Sequence, residues 1–289
     1  MIIADMQRKM KIARRKVWDA IEQHGGTTLL STGITGDDAR MAKAAVDAGA
    51  RLLEPNHPAV ALARGLRGVN NMHAAEAIRH EVPLAEMAAV VSGVRAVVGE
   101  DIYITVGVPG GFTEVKPVIL CDADFQMLSL AGTDGLHIHK TSLEDLSEVV
   151  ERAHRYGLLV DAYIGRSSDL HPFGLPADTP EDVARTAKEM ESAGADMIGL
   201  MTGMSYEGTK AGEIPSVMKE RIQALVESVK VPTLAEGGIN SVNQKAFRNT
   251  GINIIVVGTA FDDCAAQAIH SSVQCFLPKE SKGEHFAEV

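Results

Sequence analysis

The feature of this sequence that most constrains its fold is an alternation of short apolar runs with amphipathic segments along most of the chain. Eight runs have the length and composition of buried strands, and a segment of helical periodicity follows each of them. The first six are 28–31, 50–54, 102–107, 135–139, 158–163 and 195–201, and the last two lie within 231–240 and 252–261. Apolar strands that alternate with helices indicate a parallel sheet covered by helices. Eight such units predict a closed (β/α)8 TIM barrel rather than an open doubly wound sheet, since no G-x-G-x-x-G motif follows the first run.

An amphipathic segment precedes the first strand. Its apolar residues recur at helical spacing, at Met6, Met10, Ala13, Val17, Ala20 and Ile21. The pattern predicts an extra N-terminal helix that ends near His24-Gly25-Gly26 and either covers the closed end of the barrel or docks on a partner. The predicted organisation is therefore an N-terminal helical extension (1–26), the barrel (27–276) and a C-terminal tail (277–289).

Composition narrows the class of partner. A net charge of −10 and an aromatic content of 4% argue against nucleic acid, because single-strand binders need cations and stacking platforms. One basic cluster lies in the leading helix, at Arg8, Lys9, Lys11, Arg14, Arg15 and Lys16. We interpret it as a solvated helix face or a subunit contact. The segment 55–99 is longer than one helix requires, so it is a second candidate contact in a homo-oligomer.

Location follows from what the sequence lacks. No apolar run approaches the roughly 18 residues of a membrane span, and charged residues fill 5–16 where a signal peptide would be apolar. Cys121, Cys264 and Cys275 are widely spaced and form no C-x-x-C motif, as is typical of free thiols in a reducing compartment. We expect a soluble cytoplasmic protein without membrane contact.

The last two strand-like runs both end in glycine. In (β/α)8 barrels the loops after strands 7 and 8, with a following helix N-terminus, hold the phosphate of a phosphorylated ligand. The predicted phosphate-binding residues are Gly237, Gly238, Ile239 and Asn240 after the seventh strand, Gly258, Thr259 and Ala260 after the eighth, and Gly203 and Ser205 after the sixth. We therefore expect a small phosphorylated metabolite as the ligand.

Ionisable residues at the carboxyl ends of the strands are the catalytic candidates. Glu236 comes directly before the Gly-Gly turn and is the strongest of them, because a carboxylate there can remove a proton beside a carbonyl. Strand alternation turns His139 and Asp161 into the barrel, since their neighbours Ile138 and Ala162 are apolar. Lys140 is a further candidate, as an acid/base, a cation for an anionic group or a Schiff-base lysine.

The same strand ends suggest a metal. His137 and His139 form an H-x-H pair, and Glu54 and Asp161 lie on neighbouring strands. Imidazole and carboxylate groups are ligands of divalent metals, although histidine at this spacing is also found hydrogen-bonded in cores. The sequence names no definite cofactor, and a divalent metal ion is the one candidate.

Three blocks of the chain resemble the phosphate-binding barrels, and within them the N-acetylmannosamine-6-phosphate 2-epimerase family, over about 195–262. The blocks are A-G-A-D-M-I-G-L-M-T-G (193–203), V-P-T-L-A-E-G-G-I-N-S (231–241) and V-V-G-T-A-F (256–261). The resemblance to ribulose-phosphate epimerase and the histidine-pathway isomerases is looser. The resemblance to the N-acetylmannosamine-6-phosphate 2-epimerase family implies proton transfer by Glu236 and a 6-phosphate held by Gly237, Gly238, Gly258 and Thr259.

The chain departs from the epimerase pattern at two points. Gly238 stands where the family has a basic residue, and no lysine follows the third strand before Lys116. We expect an isomerase or epimerase that acts on a phosphorylated sugar or a similar carbonyl compound, with its own substrate. Two alternatives stay open, an aldolase-type lyase that uses Lys140 or a metal, and a non-catalytic protein that binds a phosphorylated metabolite.

Overall fold

The computed structural model describes residues 2–109, 112, 114–203 and 213–277. Nine strands occur in this part of the chain: β1 Thr28–Thr32, β2 Leu52–Glu54, β3 Tyr103–Gly107, β4 Gly135–Ile138, β5 Leu159–Gly165, β6 Leu175–Pro176, β7 Met197–Met201, β8 Thr233–Glu236 and β9 Ile254–Val257. The helices are α1 Ile2–Gln23, α2 Ile34–Asp37, α3 Ala39–Asp47, α4 His57–Ala63, α5 Met72–Ala77, α6 Leu84–Val98, α7 Asp122–Leu130, α8 Leu143–Arg155, α9 Pro180–Ser192, α10 Ser216–Ser228, α11 Gln244–Arg248 and α12 Thr259–Phe276, with a 3-10 turn at Arg79–Glu81. Within these residues no helix has both the length and the apolar character needed to cross a membrane.

The strands form a closed parallel barrel. Each barrel strand pairs with its neighbours in the order β4-β3-β2-β1-β9-β8-β7-β5, and the β4–β5 pairing closes the ring. The two-residue β6 pairs in parallel with the last two residues of β5 and lies outside the ring of eight. The predicted (β/α)8 barrel with an extra N-terminal helix is thus confirmed, and the eight predicted runs correspond to β1–β5 and β7–β9. The proposed domain limits stay a prediction.

Alternation along the strands separates two apolar regions. Inward-facing residues such as Leu30, Leu52 and Leu159 fill the barrel, and outward-facing ones such as Ile104 and Leu136 pack beneath the helices. These five side chains are each at most 1% exposed. Burial on both faces explains why the strands are apolar almost throughout.

Helix α1 covers the amino end of the barrel, as one of the two expectations for it proposed. Its buried face, which includes Ala13 and Val17, packs against the residues that fill the barrel. Arg14 lies 2.6 Å from Asp196, and Lys16 lies 2.9 Å from Asp134. The interpretation of the basic cluster as a solvated face is therefore wrong for Lys16, whose side chain is only 12% exposed.

The segment 55–99 folds into α4, α5, the 3-10 turn and α6. Asn56 and Asn71 cap the first two helices, each accepting a hydrogen bond from a main-chain N–H three residues later. Because α4 follows β2 directly, these short elements lie at the carboxyl end of the barrel. The extra length of the segment thus adds structure beside the strand ends where ligands bind in this fold.

Candidate active site

The carboxyl ends of the strands surround a cavity of about 250 Å3, which we call the carboxyl-end cavity. The two predicted glycine turns form much of its wall, with 237–240 on one side and 258–260 on the other. Glu236 lines it as well. Gly203 lies behind this wall, against Gly237, and Ser205 is outside the described residues. The structure therefore brings the residues of the two main turns together around one space.

Glycine is required in the turn after β8. Gly237 has φ +110° and Gly238 has φ +65°, which side-chain-bearing residues rarely adopt. A Cβ on Gly237 would also overlap the carbonyl oxygen of Gly203. The Asn243 side chain holds the turn, because its Nδ2 donates to the Gly238 carbonyl (2.9 Å) and its Oδ1 accepts from the Asn240 N–H (2.9 Å).

Four main-chain N–H donors at this cavity have no acceptor among the described residues. In the part of the chain that the structure describes, the N–H groups of Gly238, Ile239, Thr259 and Ala260 donate no hydrogen bond. Thr259 and Ala260 also form the first turn of the 18-residue helix α12, where the helix dipole favours an anion. The charged side chains among the described lining residues are all acidic (Glu76, Glu236 and Asp263), so anion binding here would depend on the backbone.

Beneath the cavity lies a buried charge cluster of Glu54, His137, Asp161 and Glu236. His137 is at its centre: its Nδ1 donates to Asp161 Oδ2 (2.9 Å) and lies 3.7 Å from Glu54 Oε2. Its Nε2 lies 3.7 Å from Glu236 Oε2. Thr105 Oγ1 donates to the other oxygen of Asp161 (2.6 Å) and so orients that carboxylate. One imidazole thus contacts carboxylates from three different strands.

The protonation states in the cluster follow from its geometry. Burial by itself would lower the pKa of His137, but the surrounding carboxylates of Glu54, Glu236 and Asp161 outweigh burial and raise this pKa to about 10. Burial raises the pKa of Glu54 well above its usual range and also raises that of Glu236, while His137 opposes both shifts. His137 is therefore an imidazolium at neutral pH.

His139 completes the hydrogen bonding of that imidazolium. Its Nδ1 donates to the Phe173 carbonyl (2.7 Å), which leaves its Nε2 to accept from His137 Nε2 at 3.0 Å. Burial, with His137 and Arg79 adding to it, lowers the pKa of His139 well below its usual value, so this ring is neutral. His139 and Asp161 thus contact His137 and do not line the carboxyl-end cavity.

Lys140 is the predicted catalytic residue that the structure does not bring to this group. Its side chain is buried, and its Nζ lies 3.1 Å from Glu114 Oε1 in the segment after β3. It does not line the cavity. A Schiff base with a molecule in the cavity would require this ion pair to break and the side chain to turn.

The predicted metal ligands Glu54, His137, His139 and Asp161 do lie together, but their arrangement does not fit a metal site. Among the described residues, no group of three or more His, Cys, Asp or Glu side chains has a geometry that could hold a metal ion. Both ring nitrogens of His137 face protein partners, and His139 Nδ1 is bound to a main-chain carbonyl. We derive no catalytic step through a metal.

Sequence reasoning missed the contribution of segment 55–99. Glu76 lines the cavity, and Arg79 Nη1 donates to Glu76 Oε2 (2.9 Å). The Arg79 side chain is fully buried, so it places a second cation near the cluster. Burial lowers the pKa of His57, and the charge of Arg79 lowers it further. The unexplained length of the segment was the signal that could have directed attention to it.

The fold and the site together define a (β/α)8-barrel protein with a glycine-lined cavity and buried ionisable groups at the carboxyl ends of its strands. The sequence profile of the family described as "Histidine biosynthesis protein" matches residues 84–266. The chain belongs to this family. The resemblance to the epimerase family stays a prediction from three motifs.

Two relatives are named imidazole glycerol phosphate synthase subunit HisF. The protein of Lactococcus lactis subsp. cremoris is 26% identical over 184 residues, which cover 58% of this chain and 66% of the relative. The protein of Flavobacterium psychrophilum is 27% identical over 179 residues, which cover 60% of this chain and 64% of the relative. The chain therefore spans slightly less than two thirds of the length of these curated relatives.

Solved structures share the fold. A 2,3-dimethylmalate lyase of the PEP mutase/isocitrate lyase superfamily has a TM-score of 0.60 at 16% identity, covering 94% of this chain and 91% of its own. A putative phosphonomutase from Burkholderia cenocepacia has a TM-score of 0.61 at 18% identity, covering 92% and 100%. A mutant tryptophan synthase alpha-subunit from Pyrococcus furiosus has a TM-score of 0.58 at 15% identity, covering 81% and 88%. At these identities the likeness concerns the barrel fold alone.

Proposed function

We propose that this protein is an enzyme that binds a small phosphorylated carbonyl compound in the carboxyl-end cavity and isomerises it by proton transfer next to the carbonyl. One observation carries the proposal: Glu236 connects the two parts of the site. Its side chain is 23% exposed and lines the cavity, and its Oε2 lies 3.7 Å from the His137 imidazolium. A base that faces both a ligand space and a buried cation suits reversible proton transfer.

The ligand would be held by its phosphate. Gly238, Ile239, Thr259 and Ala260 line the cavity, their N–H groups donate no hydrogen bond within the described residues, and the N-terminus of α12 adds its dipole. The name that the two HisF relatives share includes the words "imidazole glycerol phosphate". A phosphorylated ligand for this chain agrees with that name and with the geometry of the turns.

The proton would be taken by Glu236. Burial raises the pKa of its carboxyl, which makes the carboxylate a stronger base than an exposed glutamate, and the charge of His137 opposes this rise. The C–H electrons form a C=C bond and the carbonyl electrons move onto oxygen, which gives an enediolate. The proton of the neighbouring hydroxyl moves to that oxygen; as the new C=O bond forms, the C=C electrons take the proton back from Glu236 at the former carbonyl carbon. His137, fixed by Asp161 and His139, acts as a positioning residue that also lowers the energy of negative charge near Glu236.

The lyase alternative that uses a Schiff base has less support. It needs a lysine that faces the ligand, and the Lys140 ammonium instead lies against Glu114, outside the cavity. The non-catalytic alternative shares the cavity and differs only in chemistry. It is therefore an outcome of the experiment that follows.

The test is solvent-deuterium incorporation into a panel of phosphorylated ketoses and aldoses, followed by proton NMR in D2O. We expect exchange at the carbon next to the carbonyl of at least one compound, and a loss of about 10²–10⁴-fold in Glu236→Gln. Glu144→Gln is the matched control, because Glu144 is an exposed residue of α8, whereas Glu236 lines the carboxyl-end cavity.

Binding is measured separately, by calorimetry with inorganic phosphate and with the same panel. Retained binding in Glu236→Gln together with lost exchange supports the proposal. Binding without exchange in the wild-type protein would establish the non-catalytic alternative. Absence of binding by phosphate and by every phosphorylated compound would overturn the assignment of the cavity.

A further inference from the structure

Helix α12 lacks the packing that the other long helices have. None of its residues is buried, whereas α6, α8, α9 and α10 each bury at least three. Large apolar side chains along it face solvent, with Ile269 66%, Val273 51% and Phe276 88% exposed. In a (β/α)8 barrel the helix after the last strand normally covers the outer wall beside that strand.

The barrel wall shows the complementary deficiency. In barrel order, the helix after β9 belongs between α11 and α3, over the outward face of β9 and β1. Leu29 of β1 points outward there and is only partly buried, whereas Ile104 and Leu136 of covered strands are 0% exposed. The other outward side chains of this wall (Ser31, Ile255 and Val257) are at most 7% exposed, so the uncovered strip is confined to Leu29 and the adjacent face of α3. On α3, Met41 and Ala45 are also only partly buried. We call this strip the open wall.

The chemistry of α12 is that of an interface. Residues 264–277 contain no Asp, Glu, Lys or Arg. Ala265, Ile269, Val273 and Phe276 recur at helical spacing and form one apolar face. Depletion of charge with exposed apolar and aromatic side chains is typical of the buried centre of a protein interface.

We propose that α12 covers the open wall of a second copy of this chain, in a reciprocal exchange that makes a twofold-symmetric dimer. Exchange of one element between two identical chains needs no new surface, because the helix and the wall already belong to the same fold. The proposal does not depend on the proposed catalysis. It assigns one occupant to two surfaces that the described residues of a single chain leave uncovered.

The size of the contact is that of a weak dimer. An 18-residue helix is about 27 Å long and about 10 Å wide, and two helices on two walls would together bury on the order of 1,100 Å2. This area lies just below the roughly 1,200–2,000 Å2 of stable interfaces. The exchange would also hold the direction of α12, whose first residues Thr259 and Ala260 line the carboxyl-end cavity.

The first test is the mass in solution of the full chain, by size-exclusion chromatography with light scattering. We expect twice 30.8 kDa for the wild-type protein and 30.8 kDa for Val273→Glu. Gln267→Glu is the matched control, since it adds the same charge on the opposite face of α12 and should leave the dimer intact. A monomeric wild-type protein, or a Val273→Glu protein that stays dimeric while circular dichroism shows it folded, would overturn the proposal.

The second test distinguishes exchange from simple pairing of two α12 helices. Two chains are mixed, each with Cys121→Ser, Cys264→Ser and Cys275→Ser; one carries Ala45→Cys, and the other carries cysteine at 265, 269 or 273 in turn. We expect a disulfide between the two chains under mild oxidation. Cross-linking of 269 to 269 without any cross-link to 45 would show helix-to-helix pairing and contradict the exchange.

Discussion

Both ends of the barrel bury charged groups, but the two ends neutralise them differently. At the amino end, Asp134 accepts hydrogen bonds from Lys16 Nζ (2.9 Å), Arg95 Nη2 (2.7 Å) and the Ile104 N–H (3.0 Å). Asp196 likewise accepts from Arg14 and the Val160 N–H. Asp134 and Asp196 each meet at least one cation, so the loss of either partner would leave a buried charge without compensation.

At the carboxyl end, three carboxylates share one imidazolium. The Oε2 atoms of Glu54 and Glu236 accept no hydrogen bond within the described residues, although both are buried. Unsatisfied and mutually repelling charge reduces stability, and such shifted ionisable groups concentrate at functional sites. The comparison teaches that charge at the amino end supports the barrel, whereas charge at the carboxyl end is arranged for chemistry at some expense to stability.

The largest expected effect tests the amino end. Asp134→Asn leaves two buried cations without their shared carboxylate, so we expect the free energy of unfolding to fall by about 3–5 kcal/mol. Urea denaturation measures this. Asp19→Asn is the control, because the exposed Arg15–Asp19 pair should contribute less than about 1 kcal/mol. Equal losses for the two variants would contradict the structural role of Asp134.

The second prediction tests the carboxyl end through pH. The pKa of His137 is raised in the folded protein from 6.5 to about 10, so its contribution to stability is complete below pH 6.5 and is lost as the pH rises toward 10. Between pH 7 and 9 we expect the wild-type free energy of unfolding to fall by about 2.5 kcal/mol from this group.

His137→Gln should remove that decline, and thermal or urea unfolding at several pH values measures it. His270→Gln serves as the control, since His270 is exposed on α12. A wild-type slope that persists unchanged in His137→Gln would show that the imidazolium is not what makes this end of the barrel sensitive to pH.

The third prediction compares a glycine turn at each end. Gly26 at the amino end has φ +102° and open space around its Cα, whereas a Cβ on Gly237 would overlap Gly203. We expect Gly26→Ala to cost about 1 kcal/mol from strain, and Gly237→Ala about 2 kcal/mol more from overlap. Calorimetry should also show that phosphate binding is lost only in Gly237→Ala; similar costs and intact binding in both would remove the distinction.

The smallest effect concerns Lys9, a residue of α1. Burial lowers the pKa of Lys9 from 10.5 to about 8, so its unfavourable contribution is fully present below pH 8 and is relieved as the pH rises to 10.5. This sign is opposite to that of His137. Between pH 9 and 10, Lys9→Met should remove a rise in stability of about 1 kcal/mol. Lys11→Met, at an exposed position, should leave the profile unchanged.

Much of the fold was predictable because it depends on local pattern. The apolar runs that became β1–β5 and β7–β9 are legible from composition, and the glycine turns after β8 and β9 follow from residue type. The short helices of segment 55–99 were not predicted, because they carry no extended periodicity. The direction of α12 was also inaccessible, since an amphipathic helix has the same sequence on its own barrel or on another.

The candidate site was predictable in its members and not in their contacts. Strand alternation predicts that His139 and Asp161 point inward, but the central position of His137 depends on how β2, β4, β5 and β8 are aligned across the barrel. Lys140 shows the same limit, because its partner Glu114 belongs to a loop whose path no local pattern specifies.

The covering of the amino end of the barrel by α1 has a kinetic consequence at the carboxyl end. With the amino end closed, water exchanges protons with the buried charge cluster from the carboxyl end. The side chains of Glu54, His137 and Asp161 are 3%, 4% and 0% exposed, against 23% for Glu236. Glu236 is thus the contact between the cluster and bulk water, and its replacement should slow the exchange of the His137 ring protons with solvent.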